Sequence, residues 1–219
     1  MPVFATPLEV KSRLAQLGLN AEIFIRAAQR GFVERAATSP YDPTTAPGTD
    51  AWRYTVRDVR QRLDTPGDDW RMDNPQNLPL IISDKRKLNI AVSSGNDFTG
   101  IQGCPVAEPK SKNPKGAMVK EAVKRNIDQI DLFPELQTEA VRKFRETVGY
   151  PTWVFLIYIT DEIIRAELSL PKSFDDSTSQ LDGWEERIIM TVPLPDDADA
   201  SDIAYDSGDD ITPIIKTKI

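Results

Sequence analysis

Trp153-Val154-Phe155-Leu156-Ile157-Tyr158-Ile159 is apolar throughout and is followed, across an Asp161-Glu162 turn, by Ile163-Ile164-Arg165-Ala166-Glu167-Leu168-Ser169-Leu170. An uninterrupted apolar run of this length is the signature of a central strand covered on both faces. The second segment alternates. Ile164, Ala166, Leu168 and Leu170 fall on one face, with Arg165, Glu167 and Ser169 on the other, which predicts a hairpin partner with a polar side. The short connection makes the pair antiparallel.

The same period extends outward. Residues 186–192 predict a further strand bounded by Pro193, and Leu80-Ile81-Ile82 with Leu88-Asn89-Ile90-Ala91-Val92 predicts a hairpin around the charged turn at residues 84–87. Five strands in hairpin-like order, interleaved with helices, predict an α+β fold with a mainly antiparallel five-stranded sheet. A helical N-terminal section precedes it. The expected organisation is residues 1–75 helical, 76–194 the α+β core, and 195–219 an acidic C-terminal tail.

Local signals define the helices. Thr6-Pro7-Leu8-Glu9 is a capping box with proline at the first helical position, and Gly18 and Asn20 punctuate a turn into a second helix. Residues 38–50, with three prolines, predict an irregular connection. In residues 52–63, Trp52, Val56, Val59 and Leu63 share one face, while Arg53, Arg57 and Arg60 line another. Residues 64–77, rich in Pro, Asp and Gly, predict a loop. Asn113-Pro114 predicts the start of a long helix with Val119, Val123, Ile127 and Ile130 inward, and Thr138 caps a shorter one ended by Gly149.

Composition excludes several chemistries. The chain has 219 residues, 40% of them hydrophobic and 28% charged, as expected of a globular protein. There is no histidine, which removes Ser-His and Cys-His nucleophiles and every His-ligated metal centre. The single Cys104 forms no internal disulfide and lacks the companions of a zinc site. Without an 18-residue apolar run or a signal-peptide pattern, a cytoplasmic location away from the membrane is the expectation. Charge is unevenly placed: the net −7 divides into +4 over residues 1–130 and −11 over residues 131–219. Seven aspartates and no basic residue occupy residues 195–210, so the acidic half is a candidate interface within a larger complex, or a mimic of a phosphate backbone.

Three constellations are candidates for function. Lys110, Lys112 and Lys115 precede the predicted long helix, with Lys120, Lys124 and Arg125 along it, forming the densest basic patch. Together with the Arg53, Arg57 and Arg60 stripe, these cations suit a nucleic-acid backbone or another anion. The second is a metal-dependent nuclease alternative, in which Asp97 and Glu167 hold Mg²⁺ and Lys112 or Lys115 stabilises developing charge. Serine at 169 stands where restriction-type nucleases usually place a lysine. Cross-strand ion pairing among Arg165, Glu167, Glu186 and Arg187 on an exposed sheet face is the competing structural reading. The third is Gln129-Ile130-Asp131-Leu132-Phe133, followed by Pro134.

That pentapeptide resembles the motif by which bacterial DNA-processing proteins dock on the sliding clamp, usually Gln-Leu-Ser/Asp-Leu-Phe, with Ile130 as a conservative departure. The resemblance implies that Leu132 and Phe133 fill an apolar pocket and Gln129 a polar one. Over most of its length the chain also resembles bacterial proteins without an assigned activity. That resemblance rests on Asn77-Leu78-Pro79, Gly95-Asn96-Asp97-Phe98-Thr99-Gly100, Lys112-Asn113-Pro114-Lys115-Gly116, Arg165-Ala166-Glu167-Leu168-Ser169-Leu170-Pro171 and Gly183-Trp184-Glu185-Glu186-Arg187-Ile188. It suggests that the loop at residues 95–100, the lysines and the Arg165/Glu167 strand converge on one polar surface. The functional expectation is a non-enzymatic accessory protein of bacterial DNA metabolism or defence, requiring no cofactor.

Overall fold

A computed structural model describes residues 1–103, 107–126, 139 and 149–196. The order of elements is β1 (Val3–Phe4), α1 (Pro7–Gln16), α2 (Ala21–Ala36), α3 (Ala46–Leu63), β2 (Trp70–Asp73), a 3₁₀ turn (Pro75–Asn77), β3 (Leu80–Ser83), β4 (Leu88–Ser94), α4 (Ala117–Asn126), β5 (Thr152–Ile159), β6 (Ile164–Asp175) and β7 (Gln180–Thr191). The mixed α+β character is as expected, but the sheet has seven strands, ordered β1-β7-β6-β5-β4-β3-β2. No helix among the described residues is long and apolar enough to cross a membrane.

Two expectations about the sheet are corrected. The strands do not all follow in hairpin-like order, because β4 pairs with β5, and β1 with β7, in parallel, while the other four pairings are antiparallel. The connection from β4 to β5 contains α4, and a parallel pair requires such a crossover. The two additional strands are short edges: β1 has two residues, and β2 lies inside the stretch read as loop. Neither offers enough alternation to register as a strand. β6 also runs beyond Leu170 through Pro171, where the pairing with β7 shifts register, as proline in a sheet requires.

Helices cover both faces, which explains the continuous apolarity of β5. Trp153, Phe155 and Ile157 pack with Val10, Leu14, Phe24, Ala27 and Val59 of the N-terminal helices. Val154 and Leu156 point the other way, towards Val123 of α4 and Trp184 of β7. β3 divides similarly, with Ile81 on the N-terminal-helix side and Leu80 and Ile82 packed with Ala122 of α4. The helices of residues 1–75 therefore share their core with the sheet.

Local signals account for the helix ends. The capping box is formed, with Thr6 Oγ1 accepting from the Glu9 amide and Glu9 accepting from the Thr6 amide. Gly18 closes α1 with φ of 68°, and Asn20 accepts from the Glu22 amide to start α2. α3 begins earlier than expected, at Ala46, because Pro47 lies at a first-turn position where its missing N–H costs nothing. α4 begins later than Asn113. The preceding backbone spends its donors elsewhere: the Lys112 amide donates to the Ser94 carbonyl of β4 at 2.8 Å, and that of Lys115 to the Ser179 carbonyl in the β6–β7 turn at 2.7 Å.

Candidate functional site

The polar side of the central hairpin is buried. Glu167 is fully buried and the Arg187 side chain 5% exposed, and two Arg187 nitrogens donate to the two Glu167 oxygens at 3.2 and 2.5 Å. The Gly100 amide and the Ser169 hydroxyl complete the set of donors, at 2.9 and 3.0 Å. Arg187 also donates to the Ile101 carbonyl at 3.1 Å. The expectation of ion pairs on an exposed face is thus corrected. Residues 95–101 cover this face, and a buried carboxylate is stable there because donors meet it from several sides. Glu186 pairs instead with Arg13 of α1.

This arrangement does not assemble the nuclease constellation. Asp97 is exposed on the covering loop, whereas Glu167 already accepts four hydrogen bonds. Among the described residues no group of three or more carboxylates and thiols is placed to hold a metal ion. The loop is a structural fastening: Asn96 Oδ1 accepts from the Phe98 and Lys110 amides at 3.2 and 3.1 Å.

The basic residues separate into two groups. Arg60 is not available to phosphate, because it donates to the carbonyls of Asp73 and Leu80 and to Asn74 Oδ1, pinning the turn before β3. Arg53 pairs with Asp50 at 3.1 Å, and both Arg53 and Arg57 lie over the Tyr54 ring. Lys120 pairs with Asp176 at 2.6 Å, Lys124 with Glu121 at 2.8 Å, and Arg125 donates to the Gly149 carbonyl at 3.0 Å. Lys110, Lys112 and Lys115 differ. Their ammonium groups form no ion pair among the described residues.

Lys115 stands between two chambers at the carboxyl edge of β4 and β5. The first, about 390 Å³, lies between Gln76, Leu78 and Pro79 on one wall and Lys115, Met118 and Leu181 on the other. The second, about 620 Å³, is lined by Thr45, Thr49, Ser94, Lys112, Asn113 and Tyr158, with Arg35 at its side. Trp52 borders both, its ring fixed by indole N–H donation to the Val92 carbonyl at 3.0 Å. Among the described residues no aspartate or glutamate lines either chamber, although the chain carries net −7. Burial without a counter-charge pushes the Lys115 ammonium below the usual lysine range.

Two of the quoted segments, Asn77-Leu78-Pro79 and Lys112 to Gly116, thus face each other across the cleft. The other three meet around Glu167 and Arg187. Lys115 is a candidate from the sequence and Asn77 falls in a quoted segment, but nothing in the local pattern marks Gln76 or Ser94, and the helical spacing assigns Trp52 to the core. The clamp-like residues Gln129, Ile130, Asp131, Leu132 and Phe133 lie outside the described residues, as do Cys104, the shorter helix capped by Thr138 and residues 197–219 of the tail. No protein-family model, curated protein or solved structure matches this chain.

Proposed function

We propose that this protein is a non-enzymatic accessory factor of bacterial DNA metabolism or defence, docking on the sliding clamp through Gln129 to Phe133 and touching the DNA backbone through Lys110 and Lys112. The observation that supports the reading is the acid-free cleft edge. In an acidic chain, Lys112 lines that edge, Lys110 lies two residues before it on backbone bonded to Asn96, and neither ammonium group pairs with a described carboxylate. Unpaired cations on a fixed backbone suit sequence-independent phosphate contact. The nuclease alternative draws no support from Glu167, whose oxygens are committed to Arg187, Gly100 and Ser169.

Burial of Leu132 and Phe133 in a clamp pocket contributes about 3 to 6 kcal/mol gross. After the cost of association, one such peptide binds at about micromolar affinity, as transient recruitment requires. The experiment is surface plasmon resonance of the full chain on a purified bacterial clamp. Leu132→Ala/Phe133→Ala is expected to abolish binding while retaining the native circular dichroism spectrum. Equal binding by the folded variant, or none by wild type, would overturn clamp docking.

A further inference from the structure

We propose that the cleft divided by Lys115 is a nucleotide-binding site, with the base in the apolar chamber and the phosphate held by Lys115 where the chambers meet. This goes beyond the reading above and does not require clamp docking. The chambers differ in the way the two ends of a nucleotide differ. One has apolar walls of Leu78, Pro79, Met118 and Leu181, with carboxamides at Gln76 and Asn77. The other is lined by hydroxyls and cations and contains no carboxylate.

Its size is appropriate, since sites for small organic ligands run from about 300 to 1,000 Å³. At the junction, Trp52 offers a ring whose orientation is set by its bond to Val92, and a fixed aromatic ring suits base stacking. Gln76 and Asn77 are both in the left-handed region, with φ of 49° and 61°. Arg60 holds this turn through Asp73, Asn74 and Leu80. Two consecutive non-glycine residues in that conformation, next to the turn that half-buried Arg60 holds, are the kind of local backbone strain that clusters at ligand sites. Lys115 supplies the remaining requirement: a cation with no acidic partner among the described residues gains most when an anion arrives. Its depressed basicity is consistent with that vacancy of charge.

The same nucleoside phosphate could be a free mononucleotide or the phosphorylated end of a strand. Isothermal titration of the full chain uses four probes: purine and pyrimidine nucleoside 5′-monophosphates, the corresponding nucleosides, inorganic phosphate, and an eight-nucleotide single strand with and without a 5′-phosphate. Binding of a mononucleotide, weakened about 10- to 100-fold by Lys115→Met, supports the site and identifies the free ligand as its source. Binding only of the 5′-phosphorylated strand, with the same sensitivity to Lys115→Met, supports the site and identifies the strand end. Asn77→Gly retains the left-handed turn, so it keeps the fold and is expected to reduce discrimination between bases. Binding of neither the mononucleotides nor the 5′-phosphorylated strand, or equal binding by wild type and folded Lys115→Met, overturns the proposal. Strand binding that ignores both the 5′-phosphate and Lys115→Met, but is lost in Lys110→Glu/Lys112→Glu, also overturns it while leaving the backbone-contact reading intact.

Discussion

Truncating Glu167 would leave the Arg187 guanidinium buried without its counter-charge, and the Gly100 amide without its acceptor. Removing one member of a buried ion pair costs about 3 to 5 kcal/mol. Urea denaturation of Glu167→Ala is expected to show a loss of that size, and Glu167→Ala/Arg187→Met to recover part of it. Lys115 is the opposite case. Its folded-state pKa lies below the usual lysine value of 10.5, so the unfolded chain binds the extra proton between the two values. Stability from this group therefore rises with pH through that interval, and at neutral pH its charged form opposes folding. Lys115→Met is expected to melt above wild type at pH 7, with the gap narrowing as the pH approaches 10.5. Thermal melts across that interval check the sign.

At the scale of elements, α2 and α3 approach each other closely at Gly31. A Cβ added at Gly31 would meet Thr55 Oγ1 and, at 2.7 Å, the Ala51 carbonyl. Since backbone cannot yield as a flexible side chain does, Gly31→Ala is expected to cost about 1 to 3 kcal/mol, measured by chemical denaturation. This contact was not legible in the chain, because a helix can contain glycine for several reasons and only the partner's surface selects among them. Elements governed by neighbours along the chain were legible. Thr6 and Glu9 start α1, Gly18 ends it, and the alternation of β6 follows its residues. β1 and β2 were not, because a short edge strand is defined by its hydrogen-bonding neighbour rather than by its own pattern. Pro171 concealed the length of β6 in the same way, since a register shift accommodates it only when β7 is alongside.

For the whole molecule, the arrangement of charge matters more than its total. Releasing counterions from about two phosphates predicts a slope of about −2 in log affinity against log salt for duplex DNA. Lys110→Glu/Lys112→Glu is expected to remove most of that slope, as measured by fluorescence anisotropy over a salt series. A slope unchanged by the double substitution would place the phosphate contact elsewhere.

The sequence by itself determined the α+β class, the hairpins of β3–β4 and β5–β6, the caps of the first two helices, and Lys110, Lys112 and Lys115 as a cationic cluster. Each rests on interactions within a few residues, or on a period that one strand or helix carries alone. Only the tertiary structure decided that β4 and β5 are parallel, that Glu167 is buried against Arg187, that Arg60 holds a turn, and that Lys115 faces a cleft without carboxylates. Those outcomes depend on which distant segments meet. A charged side chain becomes a structural pair or an open site according to the partner the fold brings within hydrogen-bonding distance, and no local pattern encodes that partner.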